Sequence, residues 1–307
     1  MREEKTGAST WVGSLQILAT ALLWSTSGMC VKLLPWGPLS IGCARGLLSA
    51  AFLLALRLIP RRKGGRAAPL RLTWHTLAAA ATMAATSMLY VSAVKLTTAA
   101  NAIVLQYIAP ILVLFYTVAV EKRRPTVSEV LLTLVVFGGC ALAFADQLQA
   151  GGTLGNVLAL CSGLTFAAQV LLVRSPKTNA MDAMLIGCVF SFLVQLPFLL
   201  ADASFVLTPT ALGIIIFLGI CQYGLANVCF AAGMQRTEPL AASLILTMEP
   251  IFVPVWVFLF LGEAPGALAV AGFVCVIGGV TLYSLLPLVR RRDRLRWRAP
   301  GGGAGVS

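Results

Sequence analysis

The sequence predicts an all-α polytopic membrane protein with ten transmembrane helices arranged as two inverted five-helix repeats. Three observations carry this prediction. The 307 residues are 59% hydrophobic and only 11% charged, whereas a soluble domain carries about 25% charged residues. Apolar stretches long enough to cross a bilayer recur from one end of the chain to the other. The third observation is an internal repeat with a spacing of about 140 residues.

Ten apolar stretches of about 20 residues are separated by clusters of Pro, Gly and charged residues. Stretches of this length that do not alternate polar with apolar residues are typical of helices rather than membrane β-strands. The first stretch is too long for the core of a signal peptide. The predicted helices cover residues 11–33, 39–58, 73–94, 97–120, 127–145, 154–173, 183–201, 210–234, 240–261 and 266–288.

The Lys and Arg residues predict the orientation in the membrane. With a cytoplasmic N-terminus, nineteen of them fall in cytoplasmic segments, and the predicted outside set is Lys32, Lys95 and Arg236. Basic loops stay on the cytoplasmic side, so both termini are predicted to be cytoplasmic. The short loops suit a bacterial inner membrane. The net charge of +12 does not indicate nucleic-acid binding, because the basic residues lie in loops between apolar spans.

The two halves of the chain repeat prolines and glycines at an offset of 140 residues. The matching pairs are Pro110/Pro250, Pro125/Pro265, Gly138/Gly278 and Gly139/Gly279. An odd number of helices in each half inverts the second copy, and inverted repeats are an architecture of secondary transporters with a solute site between the halves. The predicted divisions are a cytoplasmic N-terminus (1–10), repeats at 11–145 and 154–288, and a basic, Gly-rich, disordered cytoplasmic tail (289–307).

Motifs in both halves resemble those of the EamA-type transporters in the drug/metabolite transporter superfamily. The first half has Thr97-Thr98-Ala99-Ala100-Asn101-Ala102 and then Tyr107-Ile108-Ala109-Pro110. The second half has Thr237-Glu238-Pro239-Leu240-Ala241-Ala242 and then Met248-Glu249-Pro250. The first half departs from the usual Gly-Glu ending near Glu121. The resemblance, over about residues 12–286, implies ten helices, a central cavity and alternating access. The superfamily includes amino-acid and metabolite exporters, drug efflux proteins and importers, so it leaves the solute open.

Polar and aromatic residues form stripes within the predicted spans, where polar groups are costly. Trp24 and Ser27 share one face of the first helix, and Gln169 falls on the matching face of the sixth. Facing stripes would line a polar pocket between the halves, whereas the alternative is hydrogen bonding between helices. The residues predicted to bind the solute are Trp24, Ser27, Tyr90, Asn101, Gln106, Tyr107, Gln169, Gln222, Tyr223, Asn227 and Thr247.

Two charged residues lie well inside predicted spans. Glu249 immediately precedes Pro250 in the ninth helix, where a buried carboxyl would serve either as a proton-coupling site or as a structural cap of a broken helix. Arg45 lies within the second helix. It would pair with Glu249, bind an anionic group of the solute, or extend towards lipid headgroups.

The remaining motifs favour transport over catalysis. The sequence has no GxxxxGK[ST] motif for ATP and no HExxH motif, and His75 is its only histidine. An intramembrane enzyme and a non-transporting scaffold are therefore the less favoured classes. We expect a secondary transporter that exports a small amphipathic metabolite, amino-acid-like or cationic, with proton coupling as one option. A uniporter, exchanger or importer is the alternative. No cofactor or metal is expected, the partners are a solute and the lipid bilayer, and a homodimer stays open.

Overall fold

The computed structural model describes residues 2–59, 70–97, 99–143, 145, 152–252, 256, 266–268 and 270–282. Within these residues the regular structure is helical. Seven helices are long and apolar enough to cross a membrane, and three shorter apolar helices accompany them. These ten segments match the ten predicted spans, which confirms the predicted fold class.

The ten spans are numbered α1 to α10. α1 has two segments, Arg2–Trp24 and Ser27–Leu33, and α4 has Ala99–Gln106 and Ala109–Ala119. α8 runs over Pro209–Ile216, a π-helical segment Phe217–Leu225, and Ala226–Met234. The others are α2 Pro38–Leu58, α3 Trp74–Leu96, α5 Val127–Ala143, α6 Thr153–Arg174, α7 Ala180–Ala201, α9 Pro239–Phe252 and α10 Val270–Leu282.

Local sequence explains where several helices begin. Thr73, Asn179 and Thr208 each accept a hydrogen bond from the backbone N–H three residues later, at the starts of α3, α7 and α8. Such side-chain caps satisfy amides that have no partner inside the helix. Prolines occupy the first turn of three helices, where their missing N–H costs nothing: Pro38, Pro209 and Pro239.

Two helices are interrupted at repeat-related positions. α4 breaks at Tyr107 and Ile108, just before Pro110, and α9 turns at Thr247 and Met248, just before Pro250. A proline in a helix removes one hydrogen bond and clashes with the preceding turn, so it favours a break there. The two breaks lie 140 residues apart in sequence, as the prolines do.

Each of the following contacts between the two halves has a counterpart formed by the repeat-related helices. α3 packs against α6 while α8 packs against α1, and α4 packs against α6 while α9 packs against α1. α2 and α7 pack against each other, as do α4 and α9. Replacing each helix by its counterpart in the other half maps these contacts onto themselves, as a two-fold axis between the halves requires.

α5 and α10 also pack across this axis, through repeat-related glycines. A Cβ added at Gly139 would lie 2.8 Å from the Cβ of Cys275, and one at Gly279 would lie 2.7 Å from Cγ2 of Val136. Adjacent Gly138 and Gly278 have nothing within 4 Å of such a Cβ. One glycine of each pair therefore allows the two helices to approach closely.

The predicted outside position of Arg236 is wrong. Its Nη1 donates a hydrogen bond to Oε1 of Gln16 at 2.8 Å, near the start of α1. The loop between α8 and α9 returns to the end of the bundle where α1 begins, because an even number of helices precedes it. We call this the basic end. Lys32 and Lys95 lie at the opposite end, where Nζ of Lys95 donates to the carbonyl of Leu34 at 2.9 Å.

Candidate functional site

A cavity of about 60 Å³ lies between the two halves. Nine of the thirteen residues predicted as binding or charged site residues line it: Trp24, Ser27, Arg45, Tyr90, Gln106, Gln169, Gln222, Tyr223 and Asn227. Met83, Thr86, Ser87 and Phe166 complete the lining. A volume of this size holds only a few water molecules. A larger molecule therefore fits only if the lining moves apart.

Polar atoms without partners are concentrated on this cavity. Among the described residues, nine buried side-chain N or O atoms have no hydrogen-bond partner in the protein, and six belong to the cavity lining. The six are Trp24 Nε1, Ser27 Oγ, Arg45 Nε, the Tyr90 hydroxyl, Gln222 Oε1 and Asn227 Oδ1. An unpaired buried polar group costs about 1–3 kcal/mol. Six of them around one cavity indicate a place that binds polar molecules.

Arg45 provides the positive charge of the cavity. Its side chain is 3% exposed, its Nη2 donates to Oγ of Ser87 at 2.5 Å, and its guanidinium lies 4.4 Å from the centre of the Tyr223 ring. Neither the predicted pairing with Glu249 nor the extension towards headgroups is correct, because these contacts hold Arg45 inside the bundle. Among the described residues that line the cavity, none has an acidic side chain.

Aromatic rings form one wall of the cavity. The ring centroids of Trp24 and Phe166 are 5.8 Å apart in an edge-to-face arrangement, and those of Trp24 and Phe230 are 5.5 Å apart. Trp24 and Phe166 occupy matching positions of the two repeats, at an offset of 142 residues. The wall provides apolar contact area beside the polar groups, so the cavity is amphipathic.

A π-helical segment of α8 contributes two consecutive residues to the cavity lining. Gln222 and Tyr223 lie within Phe217–Leu225, and both line the cavity together with Asn227. A π-helical turn contains one residue more than an α-helical turn, and such turns are frequent at functional sites.

Three of the predicted site residues lie outside the cavity lining, at the breaks of α4 and α9. The Tyr107 hydroxyl lies 2.6 Å from Oε2 of Glu249 and 2.7 Å from the carbonyl of Leu246. The Thr247 hydroxyl donates to the carbonyl of Leu244 at 2.5 Å. The helix breaks direct these side chains into the contact between α4 and α9. The side chain of Asn101, also predicted to bind solute, lies outside the described residues.

The contacts of Tyr107 restrict where protons lie. A phenol carries a single proton, yet the hydroxyl is within hydrogen-bond distance of two acceptors. If Tyr107 donates to the Leu246 carbonyl, the short contact with Glu249 requires a proton on the carboxyl group. Glu249 is 5% exposed and its partner is a hydroxyl rather than a cation, and a buried charge without a compensating cation is costly. Both considerations favour a neutral carboxyl in this conformation.

Two acidic residues tie α2 to α7 at the two ends of the bundle. At the basic end, Asp182 forms an ion pair with Arg57 and accepts a hydrogen bond from the backbone N–H of Arg71. At the opposite end, Asp202 accepts hydrogen bonds from Ser204, Ser40 and the backbone of Gly37. The hydroxyls of Ser204 and Ser40 hold the pKa of Asp202 well below its usual range.

A bundle of membrane-spanning helices in two symmetry-related halves, with a buried amphipathic cavity between them, is typical of membrane transporters. The model of the EamA-like transporter family matches residues 11–145 and 153–285. The chain therefore belongs to the EamA-like transporter family, a member of the drug/metabolite transporter superfamily.

Two further comparisons agree with this membership. A protein of Bacillus subtilis (strain 168) named "Uncharacterized transporter YwfM" is 29% identical over 287 residues, which are 89% of this chain and 94% of that protein. A crystal structure of another protein has the same fold, with a TM-score of 0.74, 19% identity, and coverage of 91% of this chain and 98% of that one.

Proposed function

We propose that the protein is a secondary transporter that exports a small amphipathic, amino-acid-like metabolite by alternating access. The observation that carries the proposal is the central cavity, where six buried polar atoms without protein partners, Nε of Arg45 among them, lie around one space. The two repeats, at 11–145 and 154–288, would rock against each other about the axis between them.

The chemistry of the cavity favours a zwitterion over a cation. The guanidinium of Arg45 suits a carboxylate, since the two groups form strong charge-assisted hydrogen bonds. Gln222 Oε1 and Asn227 Oδ1 are acceptors without donors, and they suit an ammonium group. Trp24 and Phe166 suit an apolar side chain. A compound with only positive charge would be repelled by Arg45, which has no acidic partner at the cavity.

The orientation follows from the basic end. We place this end in the cytoplasm, with both termini, because it holds Arg57, Arg71, Arg174, Lys177 and Arg236. In a bacterial inner membrane, export then moves solute from the basic end to the opposite end. If a proton is coupled to export, its movement across 100 mV is worth about 2.3 kcal/mol, which supports roughly fifty-fold accumulation of the solute.

Glu249 would supply proton coupling if its carboxyl group loses its proton during the transport cycle. Separation of α4 from α9 would break the contact with Tyr107 and expose the carboxyl group to water, where it ionises. The alternative is facilitative uniport or exchange, or import by the same cavity. Glu249 lies outside the cavity lining and is bonded to Tyr107. This position favours uniport or exchange without proton coupling.

Flux into proteoliposomes tests the proposal. Purified protein would be assayed with a panel of zwitterionic amino acids and cationic drugs, with and without a pH gradient, beside Glu249→Gln. We expect saturable flux of at least one zwitterion and none of the cations. Loss of the pH dependence in Glu249→Gln would support coupling, and unchanged flux would support a uniporter or exchanger. Saturable flux of cations alone would contradict the proposed substrate class. The absence of flux for every compound would also contradict that substrate class, while a transporter of another solute would still be possible.

A further inference from the structure

A second, larger cavity opens at the basic end of the bundle. Its volume is about 680 Å³, and it lies among the loops that precede α3 and α7 and the last turns of α8. Arg71, His75 and Lys177 bring basic groups to its lining, and Gln235 closes it on the side of α8. None of its lining residues belongs to the central cavity.

The lining of this second cavity is basic without acidic compensation. The lining residues within the described part of the chain include no Asp or Glu. The neighbouring carboxylate of Asp182 is engaged by Arg57 and by the backbone N–H of Arg71. Its negative charge is therefore balanced within the protein, and the side chains of Arg71 and Lys177 leave the cavity with net positive charge.

Two helix N-termini point their positive ends at the same cavity. α3 begins at Trp74 and α7 begins at Ala180, and the residues around both starts line the cavity. The N-terminus of a helix carries about half a positive charge and favours anions. The helix dipoles thus add to the field of the basic side chains.

Thr178 supplies an independent sign of a ligand. This residue lines the cavity, is 6% exposed, and its hydroxyl has no hydrogen-bond partner. Leu72 and Trp74, beside the lining, are 64% and 78% exposed. A buried hydroxyl without a partner suits the oxygen atoms of an anion, and the exposed apolar residues suit acyl chains that continue from it.

We propose that this cavity binds a phosphate-bearing anion, either the headgroup of an anionic phospholipid or a soluble phosphate. The phosphate would lie between Arg71 and Lys177, in front of the starts of α3 and α7, and would accept a hydrogen bond from Thr178. Phosphate is recognised by Arg and Lys side chains and by helix N-termini. Basic pockets between transmembrane helices bind anionic headgroups.

Thermal unfolding of the full-length protein in a neutral detergent tests this site. Tm would be followed while phosphatidylglycerol, with phosphatidylcholine as its neutral counterpart, or inorganic phosphate at constant ionic strength is added. We expect a saturable rise of about 3 to 6 °C with at least one probe, because a ligand that binds the native state stabilises it. A shift with phosphatidylglycerol alone identifies a headgroup site, and a shift with inorganic phosphate identifies a site open to soluble anions.

Matched variants decide whether the shift comes from this cavity. The double variant Arg71→Gln/Lys177→Gln should lose most of the Tm shift. Both changes keep the backbone contacts of these residues. Lys122→Gln with Arg124→Gln removes two exposed charges from another loop and should keep the shift. Thr178→Val should raise the probe concentration that gives half of the Tm shift at least about three-fold, as expected for the loss of one hydrogen bond. The absence of a saturable shift with either probe, equal shifts in the two double variants, or unchanged half-saturation in Thr178→Val would overturn the proposal.

Discussion

The Tyr107 hydroxyl bridges the broken segments of α4 and α9, so its removal should destabilise the protein. Tyr107→Phe leaves the carboxyl group of Glu249 and the carbonyl of Leu246 without their shared partner. Each buried group that loses its partner costs about 1–3 kcal/mol, which gives a total of about 2 to 6 kcal/mol. For a chain of this size 1 kcal/mol corresponds to about 2–4 °C. Tm should therefore fall by at least about 4 °C.

Tyr90→Phe is the matched control for stability. It removes the same atom from another buried tyrosine, whose hydroxyl has no partner. Its Tm should therefore stay within about 1 °C of the wild type, or rise, because an unsatisfied buried group is removed. Tm is measured by intrinsic fluorescence in one detergent and at one pH. Equal shifts in Tyr107→Phe and Tyr90→Phe would refute the bridging role of Tyr107.

Two further predictions concern contacts away from the cavity. Gly139→Ala should lower Tm, because its Cβ would lie 2.8 Å from Cys275 Cβ and force α5 away from α10, at a cost of about 1–3 kcal/mol. Gly138→Ala should leave Tm unchanged or raise it, since a Cβ there meets nothing within 4 Å and alanine favours helices; a lower Tm for Gly138→Ala than for Gly139→Ala would contradict the packing. Asp202→Asn should lower Tm at pH 7, where the carboxylate accepts its hydrogen bonds. Because the folded-state pKa is depressed, this stabilisation is complete above the ordinary pKa of about 4 and is lost as the pH falls through the lower folded value. The Tm difference between wild type and Asp202→Asn should therefore narrow below about pH 4, and a constant difference would contradict the assignment.

Periodicity and the repeat predicted most of the lining of the central cavity. Trp24 and Phe166 meet because they hold the same place in two repeats that face each other across an axis. The same symmetry brings Tyr90 of α3 and Gln222 and Asn227 of α8 to one cavity. These positions could be predicted because polar side chains within a membrane span are costly unless they face the interior of the bundle.

Sequence reasoning failed where the backbone is irregular and where a side chain gives no distinctive polar signal. Tyr107 and Thr247 occupy helix breaks, where helical spacing no longer gives the direction of a side chain, so both were predicted at the cavity and lie outside its lining. Met83 carries no polar group, and Thr86 resembles any hydroxyl that bonds its own helix, as it does to the carbonyl of Thr82.

The partners of the embedded charged residues could not be predicted from the sequence. Arg45 and Glu249 were the natural pair in sequence, since both are embedded and of opposite sign. The structure instead satisfies Arg45 with Ser87 and Tyr223, and Glu249 with Tyr107. The composition of a span shows that an embedded charge needs a partner, but packing decides which partner it finds.

The most direct test of the central claim is solute flux through Arg45→Gln. Saturable flux of a zwitterionic amino acid would be measured in proteoliposomes for the wild type, Arg45→Gln, and Arg124→Gln, which removes an exposed arginine far from the cavity. Loss of a buried hydrogen bond to a charged group costs about 1.5–3 kcal/mol, so the apparent affinity of Arg45→Gln should fall by about 10- to 150-fold. Arg124→Gln should behave like the wild type, and Tm would verify that both variants are folded. Wild-type affinity in folded Arg45→Gln would contradict the assignment of the central cavity as the solute site.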